Sequence, residues 1–133
     1  MNNIRLSKTA AFSGDFDTAV QKVSAALAEQ GFGILTQIDV QGTLKKKIDV
    51  DYPRMLILGA CNPKLAHRAL LADSDVSVLM PCNVVVRETT NGDVEIVAMD
   101  PMLLTDLISH PEITAVAQDA AQRIDTAIQN TTA

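Results

Sequence analysis

Apolar residues recur along this chain with two different periods, and the switches between them mark out the elements. Ile4, Leu6, Ala10 and Phe12 alternate roughly with their neighbours, the period of a short strand, and Ser13-Gly14-Asp15 ends it. Phe16, Val20, Val23 and Leu27 then fall four, three and four apart, with Ala19 and Ala26 beside them, so one side of a helix is apolar. Asp15 and Asp17 suit the positive end of that helix, and Gly31 suits its termination. Ile34, Leu35, Ile38 and Val40 predict a second strand, followed by a surface helical turn or two through Lys45-Lys46-Lys47. Met55-Leu56-Ile57-Leu58 is short and continuously apolar, the mark of a strand covered on both faces at the centre of a sheet.

The second half repeats these signals. Asn62-Pro63 combines a favoured N-cap with proline at the first helical position, and Leu65, Ala66, Ala69 and Leu70 give the buried stripe of the helix that follows. Val76, Val78 and Met80 alternate as a strand that Pro81 interrupts, and Val84-Val85-Val86 resumes an extended run. Asn91-Gly92 between extended segments predicts a hairpin, with Val94, Ile96 and Ala98 returning antiparallel. Asp100-Pro101 opens a short helix. A last helix, from about Glu112 to Gln129, carries Ile113, Val116, Ala117, Ala120, Ile124 and Ile128 on one face.

No linker, repeat or low-complexity tract divides these elements, so residues 1–133 are expected to form a single domain, with a core over about 4–108 and a C-terminal helix over about 112–129. Helices and strands alternate before the hairpin. The expected fold class is therefore α+β, two-layer, with a mixed, mostly antiparallel sheet and helices packed on it.

Composition narrows the function classes. At this length folding buries roughly two-thirds of the unfolded surface, enough for one core. A net charge of -5, no Trp, one Tyr and three Phe leave neither cationic surface nor stacking platforms, and no nucleic acid partner is expected. The first eleven residues lack the pattern of a signal peptide and no run of about 18 apolar residues occurs, so the expectation is a cytoplasmic protein with no membrane association. In that compartment Cys61 and Cys82 are expected to be thiols.

The candidate chemistry centres on two Cys-Asn steps, Cys61-Asn62 and Cys82-Asn83, each at the end or break of an apolar strand. If Met55–Ala60 crosses through the intervening helix into a parallel, adjacent strand at Val76–Pro81, Met55 faces Val76 and Cys61 faces Cys82. Two thiols would then share one rim of the sheet. Cys61, beside the positive end of the helix starting at Asn62, is the better candidate nucleophile of the two candidate catalytic residues. The plainer reading makes both cysteines small buried hydrophobes. A metal site needs more ligands than two cysteines, and His67, six residues beyond Cys61, faces away from a ligand one turn below, so no metal is expected and no cofactor is identified. His67 and His110 read as helix residues. Gly42-Thr43 ahead of the lysine run could place free backbone N–H groups and Lys45 around an anion, although three consecutive lysines fan out too widely to share one ligand. Asp39, Asp49 and Asp51 receive no role.

Taken together, Thr43-Leu44-Lys45-Lys46-Lys47, Leu58-Gly59-Ala60-Cys61-Asn62-Pro63 and Leu79-Met80-Pro81-Cys82-Asn83-Val84-Val85-Val86 resemble the bacterial and archaeal domain-of-unknown-function 302 family over roughly Arg5 to Ile108. The resemblance implies a compact two-layer α+β domain that forms a homodimer, with motif residues at Gly59, Cys61, Asn62, Pro63, Pro81, Cys82 and Asn83. It implies no activity, substrate or cofactor.

Three functions compete. The favoured one is a module binding a small molecule or anion, with Cys61, Asn62, Cys82, Asn83 and Lys45 as ligand-binding residues. The second is a thiol-based redox or sulfur-handling enzyme or carrier using Cys61 and Cys82. The third is a homodimeric interaction module whose contact surface is the terminal helix. No hydrolase elbow, P-loop, dinucleotide fingerprint or zinc pattern selects an enzyme class.

Overall fold

The computed structural model describes residues 6–132, so Ile4 of the predicted first strand lies outside the described residues. The elements run β1 (Ser7–Phe12), α1 (Phe16–Glu29), β2 (Gly33–Asp39), α2 (Val40–Ile48), β3 (Met55–Cys61), α3 (Pro63–Ala72), a 3-10 turn (Ser74–Leu79), β4 (Cys82–Glu88), β5 (Val94–Met99), α4 (Leu103–Leu107) and α5 (Pro111–Thr132). The five strands form one sheet in the order β1-β5-β4-β3-β2, and every neighbouring pair is antiparallel. The α+β architecture is as the sequence reading expected, while the sheet is antiparallel throughout rather than mixed. Its centre is β4, with β3 one place outward between β4 and β2.

The caps explain where the helices begin. Asp15 accepts from the Thr18 N–H, Asp39 from Gly42 and Asn62 from Leu65, each satisfying an orphan donor of a first turn. The hairpin lies at Asn91-Gly92, where Gly92 takes the positive φ (85°) that a side chain resists, and Val84 pairs with Ala98 across β4 and β5.

One predicted strand is absent. Val76, Val78 and Met80 do not extend beside β3; Ser74–Leu79 is a 3-10 turn, started by Asp73, whose carboxylate accepts from Asp75 N, and held by Ser77 Oγ donating to Ser74 O. Val76 is fully buried and Val78 is 83% exposed, so the alternation recorded one inward and one outward side chain of a turn. The proposed parallel crossover and its register therefore fall away. β3 pairs instead with β4, Met55 opposite Arg87 and Ala60 opposite Cys82.

Residues directly opposite in an antiparallel pair share a face. Leu58, Val84 and Ala98 form one rung of the inner face, and Val86 and Ile96 another; all are buried beneath the helices. Helix α5 packs against α1, α3 and α4, making these one layer. Its stripe Ile113, Val116, Ala117, Ala120, Ile124 and Ala127 belongs to the central core, which therefore does not stop near residue 108. The terminal helix is a wall of the domain and not a free surface for a second copy.

Candidate functional site

The candidate site is a cavity at the end of the sheet where β3 finishes and β4 begins. Ala60 and Cys61 of β3, Asn62 at the start of α3, and Met80, Pro81 and Cys82 leading into β4 form one side. Val76 and Leu79 of the 3-10 turn, Leu104 of α4 and the α3 and α5 helices close the other. The cavity, which opens to solvent on one side, has a volume of about 290 Å³, near the lower end of ordinary ligand pockets. Its origin lies in residue size. Of the seven residues that α3 and α5 contribute to the lining, four are alanines (Ala66, Ala69, Ala117 and Ala120, beside Leu65, Leu70 and Val116), and their methyl groups fill less of the space than larger side chains would.

Both cysteines reach this cavity, by a different route from the one the sequence suggested. An antiparallel step joins the end of β3 directly to the start of β4, and because Ala60 is the partner of Cys82, Cys61 lies one residue past that rung. Neither cysteine is in a disulfide. Burial above all, and Cys61 nearby, push the Cys82 thiol up from its ordinary 9.0 to about 11. A shift of two pH units in that direction leaves roughly 100-fold less thiolate near neutrality. Iodoacetamide at pH 8 should therefore label Cys82 about 100-fold more slowly than an exposed thiol, with the rate still climbing as pH approaches 11. Peptide mapping of a quenched time course reads this directly, and rapid labelling of Cys82 at pH 8 would contradict it. Cys82 is poorly suited to be an attacking thiolate.

Asn62 is one of the few buried polar residues. Its Oδ1 accepts from Leu65 N at 3.3 Å, capping α3, and its Nδ2 donates to the Gln30 carbonyl at 3.3 Å, tying that cap to the end of α1. The side chain shapes the cavity wall, with its oxygen and one of its two N–H groups held by backbone. Outside the cavity a second, more polar recess beside Pro63 is ringed by Lys64, Arg68 and Arg123. Arg68 is paired with Glu112, and Arg123 with Asp119 at 2.7 Å.

Two predicted site residues lie elsewhere. Asn83 is exposed one residue beyond Cys82 and is not part of the cavity wall. Lys45 is on α2, which follows Asp39, the partner of Leu56 near the start of β3, whereas Gly33 pairs with Cys61 at its end. Roughly 15–20 Å of strand separates the two ends. Lys45 also stands in the last turn of α2 and not at its N-terminus, and it bridges Asp49 at 3.0 Å and Asp51 at 3.1 Å, which raises its pKa. Met99 and Leu104 line the cavity without having been named from the sequence, and Met80, named there only within a strand and a motif, lines it too. The one sequence signal for the cavity is the frequency of alanine on α3 and α5, at Ala66, Ala69, Ala117 and Ala120.

Among the described residues no three His, Cys, Asp or Glu side chains cluster, and no helix is long and apolar enough to cross a membrane.

Comparison with curated proteins finds no match. Among solved structures, the crystal structure of the uncharacterized conserved protein DUF302 from Bacillus stearothermophilus is similar, with a TM-score of 0.87 and 27% identity, over 93% of this chain and 96% of that one. The family described as Domain of unknown function DUF302 matches residues 7–131, which takes in every strand, the cavity and nearly all of α5 beyond the stretch the motifs cover. The chain belongs to the DUF302 family.

Proposed function

We propose that this domain binds a small, largely apolar molecule in the cavity between the β3–β4 end of the sheet and the α3 and α5 helices. The supporting observation is the cavity itself: about 290 Å³ of space, walled by alanine, leucine, valine and methionine, at the place where the two Cys-Asn motifs meet. Lys45 is distant and the Asn62 amide has one N–H beyond its two backbone bonds, so few donors support the anion-binding form of the reading. Shape and apolar contact are left to select the ligand.

A neutral, environment-sensitive probe such as N-phenyl-1-naphthylamine should bind with enhanced, blue-shifted fluorescence. Ala66→Leu, whose half-buried position lines the cavity from α3, should remove that signal while the circular dichroism stays unchanged. Probe binding that persists in the filled variant would place the ligand elsewhere and sink the reading.

A homodimer is the second reading, and the outer face of the sheet favours it. Thr9, Val97, Val85, Ile57 and Ile38 are successive partners across all five strands and so form one continuous, mostly apolar row on the face away from the α1–α5 layer. Ile38 is 49% exposed, and Val97, Val85 and Ile57 are half-buried. A second copy laid against this face would cover the row. Sedimentation should give twice the chain mass, and Val85→Glu should halve it without loss of folding. A wild-type chain that sediments as a monomer would end this reading.

A further inference from the structure

We propose that the rim of the cavity is a binding site for one soft, monovalent metal ion of the Cu(I) or Ag(I) type, held by the sulfurs of Cys61 and Cys82 with Met80 and Met99 beside them. Both of the chain's cysteines and two of its five methionines line this one cavity. Sulfur is otherwise sparse in the sequence, so its concentration at a single opening is the feature to be explained. The β3–β4 pairing puts the two cysteines on adjoining strands within a residue of the same rung, Met80 lies two residues before Cys82, and Met99 closes β5 on the far side of β4.

The chemistry of the wall selects the class of ion. Zinc asks for about four nitrogen, sulfur or oxygen ligands in a tetrahedron, and no cluster of three His, Cys, Asp or Glu exists among the described residues to begin one. The one amide on the wall, Asn62, caps α3 through its Oδ1 and holds the Gln30 carbonyl through its Nδ2. Magnesium and calcium want several oxygens, and Asn62 is the one residue of the wall with a side-chain oxygen. What remains is thiol and thioether, the soft donors that favour monovalent copper over harder ions. Two thiolates suffice for an ion of low coordination number, and the surroundings are largely apolar. On binding, each coordinating thiol exchanges its S–H bond for an S–metal bond and releases the proton to solvent; the ion's oxidation state does not change.

The test is an anaerobic titration of the full chain against the Cu(I) complex of bicinchoninate, whose colour reports copper withdrawn. One equivalent per chain should be taken up. Cys61→Ser and Cys82→Ser should each weaken uptake by more than the roughly 10–100-fold that loss of an outer partner costs, and Met99→Leu by about tenfold. Serine is nearly isosteric with cysteine and Met99→Leu keeps an apolar side chain, and circular dichroism of each variant checks that it is folded. Uptake of two ions per chain, one at each thiol independently, would overturn the proposal, as would no uptake or copper retained by the double serine variant. This inference stands apart from the apolar-ligand reading: a chain that binds the naphthylamine probe but no Cu(I) loses only the metal site, and the reverse result loses only the ligand.

Discussion

A chain ending before Glu112 is expected to lose cooperative folding altogether, and not merely to release a second copy. The reason is where α5 spends its apolar stripe. Ile113 is fully buried and Ile124 is 2% exposed, with Val116, Ala117, Ala120 and Ala127 also inside, packed against α1, α3 and α4. Truncating a single buried isoleucine to alanine costs about 2–5 kcal/mol, and a domain of this kind has about 5–15 kcal/mol in total. Ile113 and Ile124 alone therefore account for most of the margin. The surface ion pair from Lys8 to Asp125, at 2.8 Å and largely solvated, adds little. Thermal unfolding followed by circular dichroism should show a sigmoidal melt for the full chain and none for the shortened one. Ile124→Ala gives the graded version, a loss of about 2–5 kcal/mol in denaturant titration. A shortened chain that still melts cooperatively as a monomer would show that α5 is an accessory helix after all.

That misplacement of α5 marks the limit of what the sequence discloses. Amphipathic spacing shows that Ile113, Val116, Ile124 and Ile128 share a face, and it is silent on whether the face meets the same chain or another. Local signals fared better because their causes are local. Asp15 and Asn62 cap helices through a bond to the N–H three residues on, and Gly92 turns a hairpin because of its own φ. Val76, Val78 and Met80 misled for the complementary reason: three alternating positions fit a short strand and a 3-10 turn equally, and the Asp73 and Ser77 side-chain bonds that decide the matter are weak signals in sequence. The meeting of Cys61 and Cys82 was legible in outcome though not in mechanism. The motifs mark strand ends, and both a parallel crossover and the actual antiparallel pair bring those ends together. The cavity was not legible as a place, since the alanines that help to open it stand on two helices some fifty positions apart in sequence.

Replacing Gly59 should be the most damaging single change within the motif, and it separates structural from ligand-facing motif residues. Gly59 does not adopt a positive φ, so conformational freedom is not what it provides. It provides room. The β2–β3 register shifts between Ile34 and Thr36, an irregularity that brings Thr36 opposite Gly59. A Cβ built on Gly59 would overlap the Thr36 hydroxyl and come within 3.0 Å of Pro81 Cγ. The three contacting elements, β3, β2 and the start of β4, are those that hold the cavity's rim, so a side chain here must push apart the strands that place Cys61 and Cys82. Gly59→Val is expected to cost about 3 kcal/mol, the upper end of overpacking in a fixed interior, and Gly59→Ala somewhat less. Thr36→Ala removes the oxygen that collides while leaving Thr36's Cβ at 3.6 Å, an ordinary contact. The double variant Gly59→Ala with Thr36→Ala should accordingly recover about 1–2 kcal/mol relative to the sum of the single changes, since residues in contact couple by amounts of that order. Urea titration of the four chains closes the cycle. Strict additivity would mean that Pro81, not Thr36, sets the limit on residue size, and the corresponding rescue would then be sought at position 81.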